Sequence, residues 1–129
     1  MTISERALAV VNQPPEKFKP HRIVTDEDMS KALDWLRDSA RDLGAAKERL
    51  KKAEHMVKVQ AALEFKKSDA KSVEAKKADA MTTDRNIEAK TEDAVATGAY
   101  EMMRALREAA AMKIEAWRTE QSNIRAMKI

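Results

Sequence analysis

The sequence predicts an all-α protein whose main part is a long antiparallel helical hairpin, similar to a coiled coil. Only two Gly and three Pro occur among 129 residues, far below the usual ~7% and ~5%, so long stretches lack helix breakers. Hydrophobic residues make up 43% of the chain and aromatic residues only 4%. Much of the hydrophobic content is alanine, which favours helix strongly but buries little area. Charged residues reach 36%, which suits thin helices with a large surface for their volume.

Residues 1–24 are predicted to form a short N-terminal helix followed by a basic arm. Ser4 can cap a helix over residues 3–12, and the prolines within residues 14–22 favour an extended connector. Two interpretations of the arm stay open: it is flexible, or it docks on the helices or on a partner. The residues that would dock are Phe18, Ile23 and Val24.

Residues 25–129 form the predicted hairpin, and its first helix begins after Thr25. Threonine is a good N-cap, and the acidic residues 26–28 place negative charge at the positive end of the helix dipole. Large apolar residues then recur every seven positions, with mostly small residues three positions later. This alternation allows two helices to pack closely. The large residues are Met29, Leu36, Leu43, Leu50 and Val57, and the others are Ala32, Ser39, Ala46, Ala53 and Gln60.

The repeat fails beyond Val57, because Glu64 and Lys71 take the next two positions. The helix is expected to continue, with residues 66–80 either projecting into solvent or fraying at the tip. A turn is expected at residues 81–84, where Thr82 or Thr83 can cap a second helix.

The second long helix is predicted to run almost to the C-terminus, with its best apolar stripe in the second half. Spacings of three, four or seven residues place that stripe on one helical face. An antiparallel hairpin brings it beside the start of the first helix, where the other strong stripe lies. The residues of this second stripe are Ala99, Met103, Leu106, Ala110, Ile114, Trp117 and Ile124.

The length of the helices predicts self-association. Rods of ~45–50 residues extend roughly 70 Å, and two such rods alone bury a single seam with little hydrophobic core. Assembly into a homo-oligomer through the two stripes is a common solution for thin scaffolds. The alternative is a compact bundle that the N-terminal segment closes.

Charge is segregated along the chain. Residues 47–77 hold ten Lys or Arg and five acids, a net +5, whereas the whole chain carries +3. Residues 26–46 and 80–103 each carry −3, and residues 104–128 carry +3. The basic stretch is either a solvated helix face or a surface for nucleic acid or an acidic protein. The candidate binding residues are Lys47, Arg49, Lys51, Lys52, Lys58, Lys66, Lys67 and Lys71.

Several classes of function lack their sequence signatures. Cys is absent, which excludes disulfides and zinc–thiolate sites. His21 and His55 lie far apart, and the acidic ridge Asp34, Asp38 and Asp42 lacks convergent oxygen ligands. No phosphate-binding loop or nucleophile motif occurs. We therefore expect no enzyme activity, no metal, no cofactor and no small-molecule substrate.

The longest apolar run, from Ala7 to Val11, is too short for a membrane-spanning helix or a convincing signal peptide. We therefore expect no membrane partner and a cytoplasmic location.

The C-terminal region combines Trp117 with several arginines, the two residue types most enriched at interface hot spots. It is either a packed tryptophan flanked by solvated arginines or a protein–protein surface. The arginines are Arg104, Arg107, Arg118 and Arg125.

The segments Ile114-Glu-Ala-Trp117-Arg118 and Asn123-Ile-Arg-Ala-Met127 resemble small, uncharacterised helical proteins of tailed phages and prophages, some encoded near recombination genes. The resemblance covers about the last quarter of the chain. It implies an accessory role in phage DNA recombination, in the host cell cytoplasm, or inhibition of a host defence complex in the manner of an anti-CRISPR protein.

The sequence as a whole predicts a non-enzymatic interaction protein that self-associates and binds nucleic acid, or a nucleic-acid-bound partner, through basic helix faces. A small inhibitor of a host defence complex and a structural coiled-coil component of a virion are the alternatives.

Overall fold

The computed structural model describes residues 24–128 and contains three helices in that part of the chain. Helix α1 spans Asp26–Lys67, α2 spans Val73–Thr82 and α3 spans Asp84–Met127. Residues 24–128 contain no strand. The long helices α1 and α3 pack against each other as a hairpin, which confirms the predicted all-α architecture. The predicted N-terminal helix and most of the arm, with Phe18 and Ile23, lie outside the described residues, whereas Val24 is buried.

The start of α1 follows the sequence prediction. The Asp28 backbone N–H donates to Thr25 Oγ1 at 3.0 Å, and the Thr25 backbone N–H donates to Asp28 Oδ2 at 3.2 Å. These two bonds form a capping box, which satisfies donors that have no partner within the helix. The bond from the Thr25 backbone N–H lowers the pKa of Asp28, because it stabilises the charged carboxylate. Helix α1 therefore begins with a cap that remains charged at neutral pH.

The connection between the long helices departs from the sequence prediction. Helix α1 ends at Lys67, and α2 begins only at Val73, so the expected continuous helix through residues 66–80 is wrong, whether projecting or frayed. Ser68 Oγ donates to Asp79 Oδ2 at 2.8 Å, and Ser72 Oγ accepts from the Ala75 N–H at 3.1 Å as the N-cap of α2. Short polar side chains that bond to nearby groups compete with helix propagation, which explains the break.

The second turn agrees with the sequence. Helix α2 ends at Thr82, and Thr83 is the N-cap of α3, with its Oγ1 accepting from the Asn86 N–H at 3.3 Å. Thr83 was one of the two predicted caps. Both ends of α2 are therefore set by hydroxyl side chains, and α2 packs more against α1 than against α3.

The two long helices run antiparallel, so residues near the start of α1 contact residues near the end of α3. Ala32 packs with Ala110 and Ile114 in one core cluster, joined by Met29, Trp35 and Leu36. A second cluster contains Leu50, Ala53 and Ala96, with Tyr100 packed against it. Two of the three buried residues in each cluster are alanines, so the helices approach closely but bury little apolar area.

The row predicted on α1 lies in this seam. Ala32, Ser39, Leu50 and Ala53 are buried, and the other members of the two predicted rows are half-buried. The seam also continues past Val57, because Gln60 is half-buried and Glu64 is buried. The seam therefore extends by one more heptad, with Glu64 at the position of an apolar residue, and it ends before Lys71, which is exposed and lies beyond α1.

Helix α3 likewise places polar residues in the seam. Arg107 Nη1 donates to the Leu36 carbonyl oxygen and to Ser39 Oγ, both at 2.7 Å. Asn86 is buried and Asp93 half-buried, and one side-chain oxygen of each is buried without a hydrogen-bond partner in the described part of the chain. The α3 seam therefore follows a regular spacing of three and four residues that its polar members conceal. Its members are Asn86, Ala89, Asp93, Ala96, Tyr100, Met103, Arg107, Ala110, Ile114, Trp117, Gln121 and Ile124.

Two residues of the predicted α3 stripe lie outside this seam. Ala99 and Leu106 are exposed, whereas Met103, Ile114, Trp117 and Ile124 of the predicted stripe are buried or half-buried. The predicted stripe combines two apolar rows that differ by one position. One residue corresponds to about 100° around a helix, so Leu106 lies to one side of the seam.

Candidate interaction surfaces

The basic residues predicted to bind a partner are all exposed, but they do not share one face. Lys51 and Lys58 are seven residues apart and lie on one side of α1. Lys52 and Lys66 are fourteen residues apart and lie on a side rotated by about 100° from the first. The candidates therefore surround the helix, and they do not form a single basic stripe.

Half of these side chains already have carboxylate partners. The Arg49 guanidinium donates to both carboxylate oxygens of Glu92 across the hairpin, at 2.7 and 3.1 Å. This contact lowers the pKa of Glu92 and raises that of Arg49, because it stabilises both charged forms. Within α1 the shortest N–O distances are 3.6 Å for Lys51–Glu54, 3.1 Å for Lys52–Glu48 and 3.8 Å for Lys67–Glu64.

The other four candidates have no such neighbour. Within residues 24–128, no carboxylate oxygen lies within 4.0 Å of the ammonium groups of these lysines, so their charge is open to solvent. They are Lys47, Lys58, Lys66 and Lys71.

The hairpin also brings the segregated charges together. Residues 47–66, within the basic stretch, lie beside the acidic first half of α3, as the Arg49–Glu92 pair shows. The acidic residues 26–46 lie beside the basic second half of α3, where Trp117 Nε1 donates to Asp26 Oδ1 at 2.6 Å. The segregation along the sequence therefore becomes complementarity between the two helices, which offsets much of the basic field expected from the sequence alone.

The C-terminal arginines have different surroundings. Arg104 lies 5.8 Å from the centre of the Tyr100 ring and pairs with Glu101, while Arg118 pairs with Glu115. Arg107 is held inside the seam, and Arg125 is exposed. Trp117 is half-buried and its indole N–H is bonded to Asp26. Within one chain it is therefore a packed tryptophan, which was one of the two interpretations of this region.

An apolar row on α3 has no covering within the hairpin. Val95, Met102 and Leu106 are 51%, 68% and 52% exposed, and Ala99 and Ala109 between and beyond them are exposed too. The spacings of four, three, four and three residues are those of a helix-packing seam. We call these five residues the exposed row. The sequence contains the signal of this row, a second heptad pattern one position before that of the seam, and the predicted stripe combines the two patterns.

A shallow groove runs beside the exposed row. Leu106 and Ala109 line it from α3, and Ala32 and Trp35 line it from α1. Trp35 is half-buried and packs against the cluster of Ala32 and Ile114. The exposed row is therefore continuous with an aromatic side chain of the other long helix.

The described residues contain no group of three or more His, Cys, Asp or Glu side chains that could hold a metal ion. His55 is exposed. In the acidic ridge, Asp34 and Asp38 pair with Arg37 at 3.4 and 3.1 Å. No helix within residues 24–128 is long and apolar enough to cross a membrane.

Comparison with known proteins found no matching family model, no similar curated protein and no similar solved structure.

Proposed function

We propose that this chain is a non-enzymatic interaction protein that works as a self-associated helical scaffold. The observation that carries the proposal is the balance between exposed and buried apolar side chains. In residues 24–128, eleven large hydrophobic side chains are exposed, whereas the buried ones larger than alanine are Val24, Leu50 and Ile114. Where exposed apolar side chains are contiguous, as in the exposed row, they mark an interaction site.

Self-association accounts for the long, alanine-rich seam. Such a seam fixes the register of two helices but buries little area, and each Å² of buried apolar surface contributes only about 25 cal/mol. An assembly covers further apolar surface without lengthening the chain. Thin helical scaffolds gain stability in this way.

Light scattering coupled to size-exclusion chromatography tests the proposal. We expect a mass of at least twice 14.5 kDa. On dilution, the fraction of oligomer should fall and the fraction of monomer should rise. A mass of 14.5 kDa at every concentration from micromolar to millimolar would contradict a self-associated scaffold.

A second candidate function, nucleic-acid binding, is favoured by the four lysines without carboxylate partners. Free ammonium groups can neutralise phosphates and release counterions. An accessory role in DNA recombination would use this chemistry. Among the eight basic candidates, four pair with carboxylates of the described residues, which leaves Lys47, Lys58, Lys66 and Lys71.

Two matched variants test this second function on a random-sequence DNA duplex. Changing Lys47, Lys58, Lys66 and Lys71 to Ala should weaken binding and reduce the salt dependence, by about 0.9 in slope for each lost phosphate contact. The control changes Lys31, Lys51, Lys52 and Lys67, which pair with carboxylates, and removes the same charge. An equal loss in both variants would reject a binding surface made of the unpaired lysines.

A further inference from the structure

We propose that the exposed row is covered by a second copy of this chain, packed antiparallel about a two-fold axis at Met102. The proposal rests on the proposed function and specifies its partner, its face and its orientation. The contact is made by α3, and the groove beside Trp35 lies at its edge.

The large and small side chains of the exposed row alternate so that the row of one copy can pack against the same row of a second copy. In a two-fold contact each pair of residues occurs twice. With the axis at Met102, Val95 of one copy lies opposite Ala109 of the other, and Leu106 lies level with Gly98, beside Ala99. Val95 and Leu106 then each meet small residues, as in the covered seam of the hairpin, where Leu50 packs with Ala53 and Ala96. Met102 meets Met102 of the other copy at the axis.

The open space beside the row suits a close approach of two helices. A Cβ atom placed on Gly98 would meet nothing within 4 Å. The neighbouring turns carry Ala105 and Met112, and Met112 is exposed. None of the five residues of the exposed row is charged, so burying these five side chains would itself desolvate no charge.

Charge selects the second copy and its orientation. Leu50 packs with Tyr100, and Arg107 bonds to Ser39, so Met102 lies level with the middle of α1. The net charge changes sign near that level in both helices. Along α1 it changes from −3 over residues 26–46 to +4 over residues 47–67, and along α3 from −3 over residues 84–103 to +3 over residues 104–128.

An antiparallel copy centred at Met102 would place the acidic half of α3 beside the basic half of α3 in the other copy. A parallel copy would place like charges side by side. Complementary potentials favour the first arrangement and disfavour the second. The groove lined by Trp35 and Leu106 would lie at the edge of this contact and be covered with it.

Single cysteines test the proposal without interference, because the chain has no native cysteine. Met102→Cys should form a disulfide-linked dimer on mild oxidation, since the two positions meet at the axis. Ala111→Cys is the matched control, because Ala111 is exposed and lines a groove with Leu36 and Leu43 outside the row. It should remain monomeric on a non-reducing gel.

Orientation is tested with Val95→Cys and Ala109→Cys. In the antiparallel dimer the two Val95 positions are fourteen residues apart along the axis, about 21 Å, too far for a disulfide. Each variant alone should therefore fail to cross-link, and a mixture of the two should form a mixed dimer. Cross-linking of Val95→Cys alone would overturn the antiparallel orientation.

The outcomes separate this inference from the proposed function. A mass above 14.5 kDa without cross-linking of Met102→Cys would reject the exposed row as the interface and leave self-association standing. A monomer at all concentrations would reject both. The helicity of each variant is measured by circular dichroism, so that a loss of cross-linking or of assembly caused by misfolding is recognised.

Discussion

Arg107 is the residue whose role is hardest to read from the sequence. Among arginines near Trp117, sequence reasoning grouped it with side chains at the surface. In the structure its guanidinium donates two bonds of 2.7 Å to α1, and one acceptor is a backbone carbonyl. Its spacing from Met103 and Ala110 places it in the seam, but a hydrophobicity pattern counts it as polar and leaves it out.

Replacing Arg107 by Ala should destabilise the hairpin. The change removes two charge-assisted bonds and leaves Ser39, which is buried, without its partner, at a cost of about 1–3 kcal/mol. Arg104→Ala is the control, because Arg104 pairs only within its own helix and such exposed pairs contribute about 0.3–0.5 kcal/mol. Urea unfolding followed by circular dichroism measures both. Equal destabilisation by the two changes would show that the seam bonds of Arg107 contribute nothing specific.

At the scale of the elements, the helix starts were predictable and the break near the tip was not. Thr25 and Thr83 precede long helices and carry local cap signals that need no tertiary context. Ser68 and Ser72 are equally good local signals, but alanine and lysine around them favour helix. Which preference prevails depends on packing of α2 against α1, which includes the Ser68–Asp79 bond, and the sequence does not display that packing.

The contact between α1 and α3 at Arg49 and Glu92 predicts a dependence of stability on pH. The bond from Arg49 lowers the pKa of Glu92 in the folded chain, while the unfolded chain keeps a value of about 4.3. A depressed carboxylate pKa stabilises the fold above the unfolded value, and the contribution disappears as pH falls through the folded value. Stability should therefore decline on acidification below about pH 4.3.

Comparison of the wild type with Glu92→Gln isolates this contribution. The urea midpoint of the wild type should exceed that of the variant at neutral pH, and the difference should shrink below about pH 4. Asp28, whose pKa is also lowered, adds to the acid sensitivity of both proteins and so cancels from the comparison. A difference that stays constant down to about pH 2 would contradict the assigned cause.

At the scale of the whole molecule, the sequence predicted the hairpin because two apolar patterns and a central turn agree. The heptad of α1 from Met29 to Val57 is apolar enough to be recognised alone. The α3 seam is not, because Asn86, Asp93 and Arg107 interrupt it. The sequence leaves open whether the basic stretch is a solvated face or a binding surface, because it does not show that acidic residues such as Glu92 lie beside it.

Folding of the hairpin and assembly of the scaffold should be separable with two substitutions of leucine by glutamate. Leu50 is buried between the helices, so Leu50→Glu places an unpaired charge in the seam and should lower the melting temperature at every protein concentration. Leu106 is half exposed, so Leu106→Glu should leave the helicity of the hairpin largely unchanged.

The dependence of melting on concentration then distinguishes the two roles. Assembly stabilises the folded state by mass action, so the melting temperature of the wild type should rise with protein concentration. Leu106→Glu should abolish this rise, because it would bury a carboxylate against the second copy. Leu33→Glu is the control, since Leu33 is exposed to a similar degree on α1 and lies outside the exposed row. If Leu106→Glu melts with the same concentration dependence as the wild type, the copies associate through another face. The exposed apolar residues of α1, such as Leu33, Met56 and Leu63, would then be tested next.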